Sequence, residues 1–518
     1  MMFSPQQAAA IEFARSGKGS GLVVAVAGAG KTTTLVEMCK VSNAKNIAFA
    51  AYNKAIAAEI GTKLEAAGLK APRVRSGTFH SFGFSNWRQA APKVRVDKND
   101  EKTKHLLEQR KVPDEFHPFV SRLVSLAKQR AFGVLIQTDD YRAWVDTVAH
   151  FDLDDLLPAD PSQTAEQLRK QVQAGIAHAW HVLHASTQMD YNVVNFDDMI
   201  YAPLVHGARV WPNDLVLVDE AQDTNPARRA LAKMMLRPGG RLIAVGDPHQ
   251  AIYGFTGADN DSLEIIRREF NCTILPLTVT YRCPKAVVEH AHQWVEHITA
   301  ADTAPEGVVR TMKDDEFRKL TGAELGWQDV VICRNTQPLV ELAFDLIRRR
   351  IPCHIEGRDI GAGLIAFTKK WKSVTTVGAL RIQIDDHLDR ETERLMSKGQ
   401  EQKADNLADK VATLHVIMED LADDAPLSEV ARIIETLFED TEPGEAPKNV
   451  TLCTAHRSKG REWVRVYLLG RNVFMPSPYA RQQWQAEQED NLCYVSVTRA
   501  MQELVEVWVD PRKYGRRR

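Results

Sequence analysis

The sequence predicts an α/β protein made of two parallel-sheet lobes, each interrupted by a mainly helical insertion. Three observations carry this. Gly21-Leu22-Val23-Val24-Ala25-Val26 is a continuous apolar run of strand length that enters a glycine-rich turn. A second such run, Leu215-Val216-Leu217-Val218, ends in the carboxylate pair Asp219-Glu220. Strand and helix patterns then alternate in both halves of the chain, as parallel sheets require.

The first run leads into Ala27-Gly28-Ala29-Gly30-Lys31-Thr32, and Thr33 to Lys40 reads as a helix. Strand, glycine turn and helix together form an anion cradle. Backbone N–H groups of Gly28, Ala29 and Gly30 can face a triphosphate, with Lys31 on the β/γ-phosphates and the Thr32 hydroxyl on Mg²⁺. Thr33 completes the candidate ATP-binding stretch, and Ala25 stands where the pattern usually has its first glycine. At the end of the second strand Asp219 is the candidate Mg²⁺ acid, and Glu220 is placed to take a proton from an attacking water. Both motifs in this order predict an ATP-hydrolysing enzyme.

Bulk properties narrow the setting. The 518 residues exceed one domain several-fold, and 44% hydrophobic with 26% charged residues is ordinary for a globular protein. A net charge of −2 means that any nucleic-acid surface is a local basic groove. The seven cysteines never form a C-x-x-C pair, which argues against a zinc ribbon or an iron–sulfur cluster and for reduced thiols in the cytoplasm. Neither a secretory leader nor an apolar run of membrane-spanning length is evident.

The motifs extend along most of the chain. The Walker-type pair, with Asp219-Glu220-Ala221-Gln222-Asp223, resembles superfamily 1 helicases of the UvrD/Rep/PcrA type. Phe3-Ser4-Pro5-Gln6-Gln7 is similar to that family's Q motif, in which Gln7 would read the adenine edge. Phe49 to Ala55 resembles motif Ia, Gly77 to Phe82 motif Ic, and Val245 to Phe255 motif III, with Gln250 as γ-phosphate sensor. Leu277 to Arg282 resembles motif IV, implying that Tyr281 stacks on adenine while Arg282 reaches the γ-phosphate. Thr454 to Trp463 is similar to motif V, bringing Gly460 to the nucleotide and Glu462 near the ribose. Asn491 to Ala500 is similar to motif VI, with Arg499 as a second arginine finger. The spellings Ala51-Tyr52-Asn53-Lys54 and Pro248-His249 lean toward the F-box DNA helicase and phage branch.

The resemblance implies RecA-like P-loop lobes and an ATP-dependent DNA helicase moving on single-stranded DNA, 3′-to-5′. Its partners would be single-stranded, tailed or forked DNA, with no membrane and a monomer as the working form. Tyr52, Tyr253 and Phe255 are the candidate base-stacking residues, and Asn53, His80 and His456 candidate base or backbone contacts. Base–aromatic stacking is worth about 1–3 kcal/mol per base and tolerates any sequence. The catalytic set is then Lys31, Asp219, Glu220, Gln250, Arg282 and Arg499. Two rival readings remain: a translocase that displaces proteins without unwinding, and a nucleotide-dependent DNA-binding sensor in a larger complex. Departures from the family pattern fall at Thr256 and Asp490-Asn491.

Motif spacing divides the chain into a first lobe (1–85 and 200–276) with an insertion at 86–199, and a second lobe (277–365 and 448–510) with a short insertion at 366–447. A basic tail, 511–518, follows. Phe119 to Lys128 is an amphipathic helix pattern in the first insertion. In the second, Leu388, Leu395, Leu407, Val411, Leu414, Met418 and Leu421 predict two helices broken near Gly399. These would form either a hairpin packed on itself or a surface for DNA or a partner. Asp423-Asp424-Ala425-Pro426 reads as a helix end and Thr441 to Pro447 as a linker.

Overall fold

The computed structural model describes residues 3–97, 100–158, 163–188, 192–254, 257, 261–371, 373–397, 401–439, 448–477, 480 and 482–514. Phe255, Thr256, Gly399, the linker 441–447 and residues 515–518 of the tail lie outside the described residues. The chain divides into two units, Met1–Ala25 with Gly30–Leu277, and Val26–Ala29 with Thr278–Arg518.

The first unit is organised by a six-stranded parallel sheet. Its strands are β1 (Gly21–Ala25), β2 (Ile47–Ala51), β3 (Val74–Thr78), β6 (Asn213–Val218), β7 (Leu236–Gly246) and β8 (Thr273–Leu277), in the order β3-β2-β6-β7-β1-β8. Two-residue strands β4 (Arg95–Val96) and β5 (Val193–Val194) pair separately. The central strands are buried on both faces, which is why β2 and Leu215 to Val218 of β6 read as unbroken apolar runs. Parallel strands all end on one side of a sheet. The residues following β2, β3, β6 and β7 are Tyr52, Phe79-His80, Asp219-Glu220 and Asp247, so candidate chemistry gathers along one edge.

Residues 86–199 are mainly helical and build a core of their own. Phe119, Val120, Leu123, Trp144, Ile176 and Leu183 meet in it, from helices His117–Gln129, Tyr141–His150 and Ala165–Ser186. Helix Phe79–Ala90 packs against Asp198–Val205 through Gly83, where a Cβ would stand 2.2 Å from the Met199 carbonyl oxygen.

The second unit has a seven-stranded parallel sheet. Its members are β11 (Val308–Lys313), β12 (Asp329–Cys333), β13 (Cys353–Glu356), β14 (Phe438–Glu439), β15 (Val450–Thr454), β16 (Trp463–Leu469) and β17 (Ala500–Trp508). The order is β11-β17-β16-β12-β15-β13-β14, and short β9 (Val279–Thr280) and β10 (Thr299–Ala300) pair beside it. The seven cysteines are free thiols, and burial pushes the Cys39, Cys333 and Cys493 thiols up to about 12.

The two helices predicted in the second insertion are Val377–Ser397 and Glu401–Met418; a third, Leu427–Leu437, follows the Asp423–Pro426 stretch. The two helices pack on each other, but not on themselves alone. Val377, Leu380, Val411, Leu414 and Ile434 share one core with Leu339, Leu342 and Leu346 of helix Gln337–Arg348. The apolar stripe that looked like a hairpin seam therefore covers the second lobe's own helix. Leu414 is wholly buried there. Leu414→Ala should cost about 2–5 kcal/mol of unfolding free energy, read from the urea midpoint; an unshifted midpoint would mean the core is not shared.

Candidate nucleotide and nucleic-acid sites

The phosphate loop leaves β1 and enters helix Lys31–Val41, with Gly30 as its N-cap at φ +75° and Gly28 at φ +72°. Both glycines are in the left-handed region that side chains disfavour. A Cβ on Gly28 would also stand 2.5 Å from Thr280 Oγ1 and 2.6 Å from Arg282 Cβ. Residues 26–29 cluster with the second unit. Within that unit the Tyr281 N–H donates to the Gly28 carbonyl (2.9 Å) and the Ala27 N–H to Tyr494 Oη (3.0 Å).

In the first unit, Lys31 and Thr32 meet the acids ending β6. Thr32 Oγ1 donates to Asp219 Oδ2 at 3.1 Å, and Lys31 Nζ stands 3.7 Å from Glu220 Oε1. The Glu220 N–H donates back to Asp219 Oδ1 at 2.9 Å, and Glu220 takes φ +51°, which turns the chain sharply after the strand. Burial, then the neighbouring Glu220, push the Asp219 pKa up to about 6 against Lys31 and Thr32. Two carboxylates beside one lysine leave the pocket short of positive charge. Hydroxyl and carboxylate oxygens so placed suit a hard dication such as Mg²⁺.

A run of hydrogen bonds leaves this cluster. Gln222 Nε2 donates to Glu220 Oε2 (2.5 Å), the Asp247 N–H to Gln222 Oε1 (3.1 Å), and Gln250 Nε2 to Asp247 Oδ2 (2.8 Å). Asp247 is fully buried, and burial raises its carboxyl against the pull of Lys31 and His249. Three residues beyond Gln250, the Tyr253 ring stacks on Tyr52, with centroids 5.6 Å apart and planes within 9°; the Arg228 guanidinium caps Tyr52 at 4.6 Å. A cavity of about 250 Å³ opens beside them, lined by Tyr52, His80, Gln129, Phe196, Asn225 and Arg228. His80 stacks on Phe196 at 3.7 Å. Burial and the nearby Arg228 push the His80 pKa down to about 3, so its ring is neutral at working pH.

Other predicted residues are engaged in ways the sequence did not indicate. Gln7 forms a capping box with Ser4, its Oε1 accepting from the Ser4 N–H at 3.0 Å, while its amide nitrogen lies beside Gly30. Asn53 caps helix Lys54–Ala66, its oxygen accepting from the Ile56 N–H. In the second unit Arg282 Nε pairs with Glu462 Oε2 at 2.6 Å, which ties two predicted nucleotide contacts to each other. Arg499 is buried. Its Nε donates to the Val495 carbonyl (2.8 Å) and its Nη1 to that of Arg461 (3.1 Å). Tyr281 is half exposed and Gly460 has φ +85°. His456 is half-buried, and burial, with Arg334 and Lys459 nearby, pushes its pKa down to about 3.

Residues 3–271 match the UvrD/REP helicase N-terminal domain, and 366–510 the UvrD-like helicase C-terminal domain. The chain belongs to the UvrD/REP helicase family. Its two parallel α/β units are the two RecA-like lobes of that family. Among similar proteins, the ATP-dependent DNA helicase Rep of Salmonella typhimurium is 26% identical over 313 residues, covering 56% of this chain and 43% of the relative. The F-box DNA helicase protein 1 of Schizosaccharomyces pombe is 24% identical over 358 residues, covering 60% and 37%. The ATP-dependent DNA helicase PcrA of Staphylococcus epidermidis is 24% identical over 315 residues, covering 57% and 40%. The matched region thus spans about two-fifths of each of these relatives.

Phe196, Arg228, Gln222 and Tyr494 were given no role from the sequence. An aromatic set between polar residues, as in Asn195-Phe196-Asp197-Asp198, is the one signal that could have marked Phe196. No helix among the described residues is long and apolar enough to cross a membrane. The positive φ and the close approach at Gly28 give a direct test. A strained backbone costs about 1–3 kcal/mol, so Gly28→Ala should weaken binding of a fluorescent ATP analogue about tenfold or more. Unchanged affinity in a fluorescence titration would contradict the loop's role.

Proposed function

We propose that this chain is an ATP-driven motor on single-stranded DNA that couples hydrolysis to duplex unwinding in the 3′-to-5′ direction. The observation that carries the reading is the union of two kinds of chemistry on one sheet edge. Lys31, Thr32, Asp219 and Glu220 form a phosphate and metal-ion site, and the Gln222–Asp247–Gln250 hydrogen bonds lead from it toward the stacked Tyr52–Tyr253 pair.

In this reading Lys31 neutralises the terminal phosphates and Glu220 takes the proton of the attacking water. Mg²⁺ held by Thr32 and Asp219 would neutralise charge on the phosphate oxygens. Arg282 and Arg499 are the proposed arginine fingers, a role worth about 10³–10⁵ in rate. The Arg282–Glu462 pair must then open or turn for the guanidinium to serve a phosphate. Tyr281 supplies an exposed ring for adenine. Loss of the γ-phosphate near Gln250 would change its bond to Asp247 and shift Tyr253, which makes the grip on a stacked base depend on the nucleotide. Tyr52, Tyr253, Phe196 and neutral His80 offer ring faces to bases, and Arg228 a charge to phosphates. His456 and Phe255 are proposed as further strand contacts.

A translocase that displaces proteins without unwinding is the second reading. It is favoured by the short insertion, whose helices are spent on the second lobe's core. The test is ATP hydrolysis with and without oligo(dT), then unwinding of 3′- and 5′-tailed duplexes, with Lys31→Ala as the inactive control. Strong stimulation with unwinding only from the 3′ tail is expected. Stimulation without unwinding would select the translocase, and absence of stimulation would overturn the motor reading in favour of a nucleotide-dependent sensor.

A further inference from the structure

Phe196 poses a physical problem. The residue is 62% exposed, yet its ring stands face to face with His80. A single ring stack of this kind adds little beyond the area it buries, too little by itself to fix an exposed side chain against water. The constraint comes from its two neighbours in the chain. Asn195 Oδ1 accepts from the Asp198 N–H (3.1 Å), the Asn195 N–H donates to Asp198 Oδ2 (3.2 Å), and Asn195 Nδ2 donates to Asp100 Oδ1 (3.1 Å). On the other side, Asp197 accepts from Ser125 Oγ (2.5 Å) and Gln129 Nε2 (3.1 Å).

Asn195 is anchored through Asp198, which lies between two lysines, and Asp197 through Ser125 and Gln129 of the helix that carries one of those lysines, Lys128. Lys102 Nζ is 2.6 Å from Asp198 Oδ2 and Lys128 Nζ is 2.7 Å from Oδ1, and all three side chains are 2% exposed. Lys102 Nζ also donates to the Ser186 carbonyl at 3.0 Å. Burial works against the Asp198 charge, but Lys128 and Lys102 outweigh it and hold the carboxyl below its usual range. Removing three charges from water costs several kcal/mol per ion, and an apolar cluster of the same volume would stabilise the fold equally well. The cluster's advantage over an apolar one is geometric, because two short charge-assisted bonds to one carboxylate allow a single arrangement. Lys102, Lys128 and Ser186 stand on three different helices of residues 86–199, Glu101–Gln109, His117–Gln129 and Ala165–Ser186. Asp198 opens the helix that packs through Gly83 on the helix bearing His80.

We infer that Lys102, Lys128 and Asp198 are positioning residues for single-strand binding: they lock the helical insertion to the base of Phe196 and hold its ring on His80, ready for a base. Through Phe196 the insertion thereby adds its own ring to the first lobe's grip on the strand. This rests on the single-strand reading of the Tyr52–His80–Phe196 face proposed above.

The test is a double-mutant cycle on the full chain, with fluorescein-labelled dT oligonucleotide followed by anisotropy. Lys102→Met keeps the side-chain length and removes the charge. Affinity should fall about tenfold when Phe196 is present and less than about twofold in the Phe196→Ala background, since two changes acting through one ring are not additive. Affinity for a fluorescent ATP analogue should stay unchanged. Equal losses in both backgrounds would overturn the inference, as would no loss in either. If Phe196→Ala alone binds dT as tightly as the parent chain, the single-strand reading of this face fails instead. Should Lys102→Met not fold, Ser125→Ala loosens the Asp197 side of the same anchor and enters the same cycle with the same two outcomes.

Discussion

Asp219 is a fully buried carboxylate with a second carboxylate as its immediate neighbour, and the chemistry of the first lobe is arranged around that cost. An isolated buried charge is prohibitively unfavourable. Here the Thr32 hydroxyl, the Glu220 N–H and the nearby Lys31 ammonium share the compensation. To reach it, β1 and β6 must end at the same level of the sheet, with β7 between them. That requirement places the phosphate loop, and with it Lys31, within reach of Glu220. The left-handed turn at Glu220 then sends Gln222 back toward the end of β7.

The same economy extends away from the phosphates. Glu220, Gln222, Asp247 and Gln250 are each engaged by the next, through hydrogen bonds of 2.5–3.1 Å between largely buried groups. In a low-dielectric interior such links resist independent motion. The series joins Glu220 to Gln250, three residues from the stacked tyrosines. On the insertion side, the lysine–aspartate cluster does the corresponding job for Phe196. Two polar networks thus lead toward these aromatic residues, one from the Lys31–Glu220 cluster and one within the insertion.

Much of this was legible in the sequence because its signals are local. Strands buried on both faces read as apolar runs, and Gly28-Ala29-Gly30-Lys31-Thr32 carries its turn, cradle and helix start in five residues. Phe119 to Lys128 shows its helix in the spacing of its apolar side chains. Long-range pairings left no such trace. Arg282 and Glu462 are 180 residues apart in the chain, and nothing near either reveals the other. Phe196 gains its meaning only when helix Asp198–Val205 packs on Phe79–Ala90. Asn53 and Gln7 carry capping duties that resemblance to a motif does not disclose. The periodicity of the second insertion gave its helices correctly but could not say which surface they cover, since a stripe of leucines fits a hairpin or a lobe equally well.

In the proposed reading a single strand lies against the rings gathered at the first lobe's sheet edge. Photocrosslinking of the full chain to an oligonucleotide carrying 5-iodouridine, followed by mass spectrometry of the adducts, tests it most directly. Adducts are expected at Tyr52, His80, Phe196 and Tyr253, reduced by unlabelled dT competitor. Adducts confined to other surfaces, with these four peptides unmodified, would contradict it.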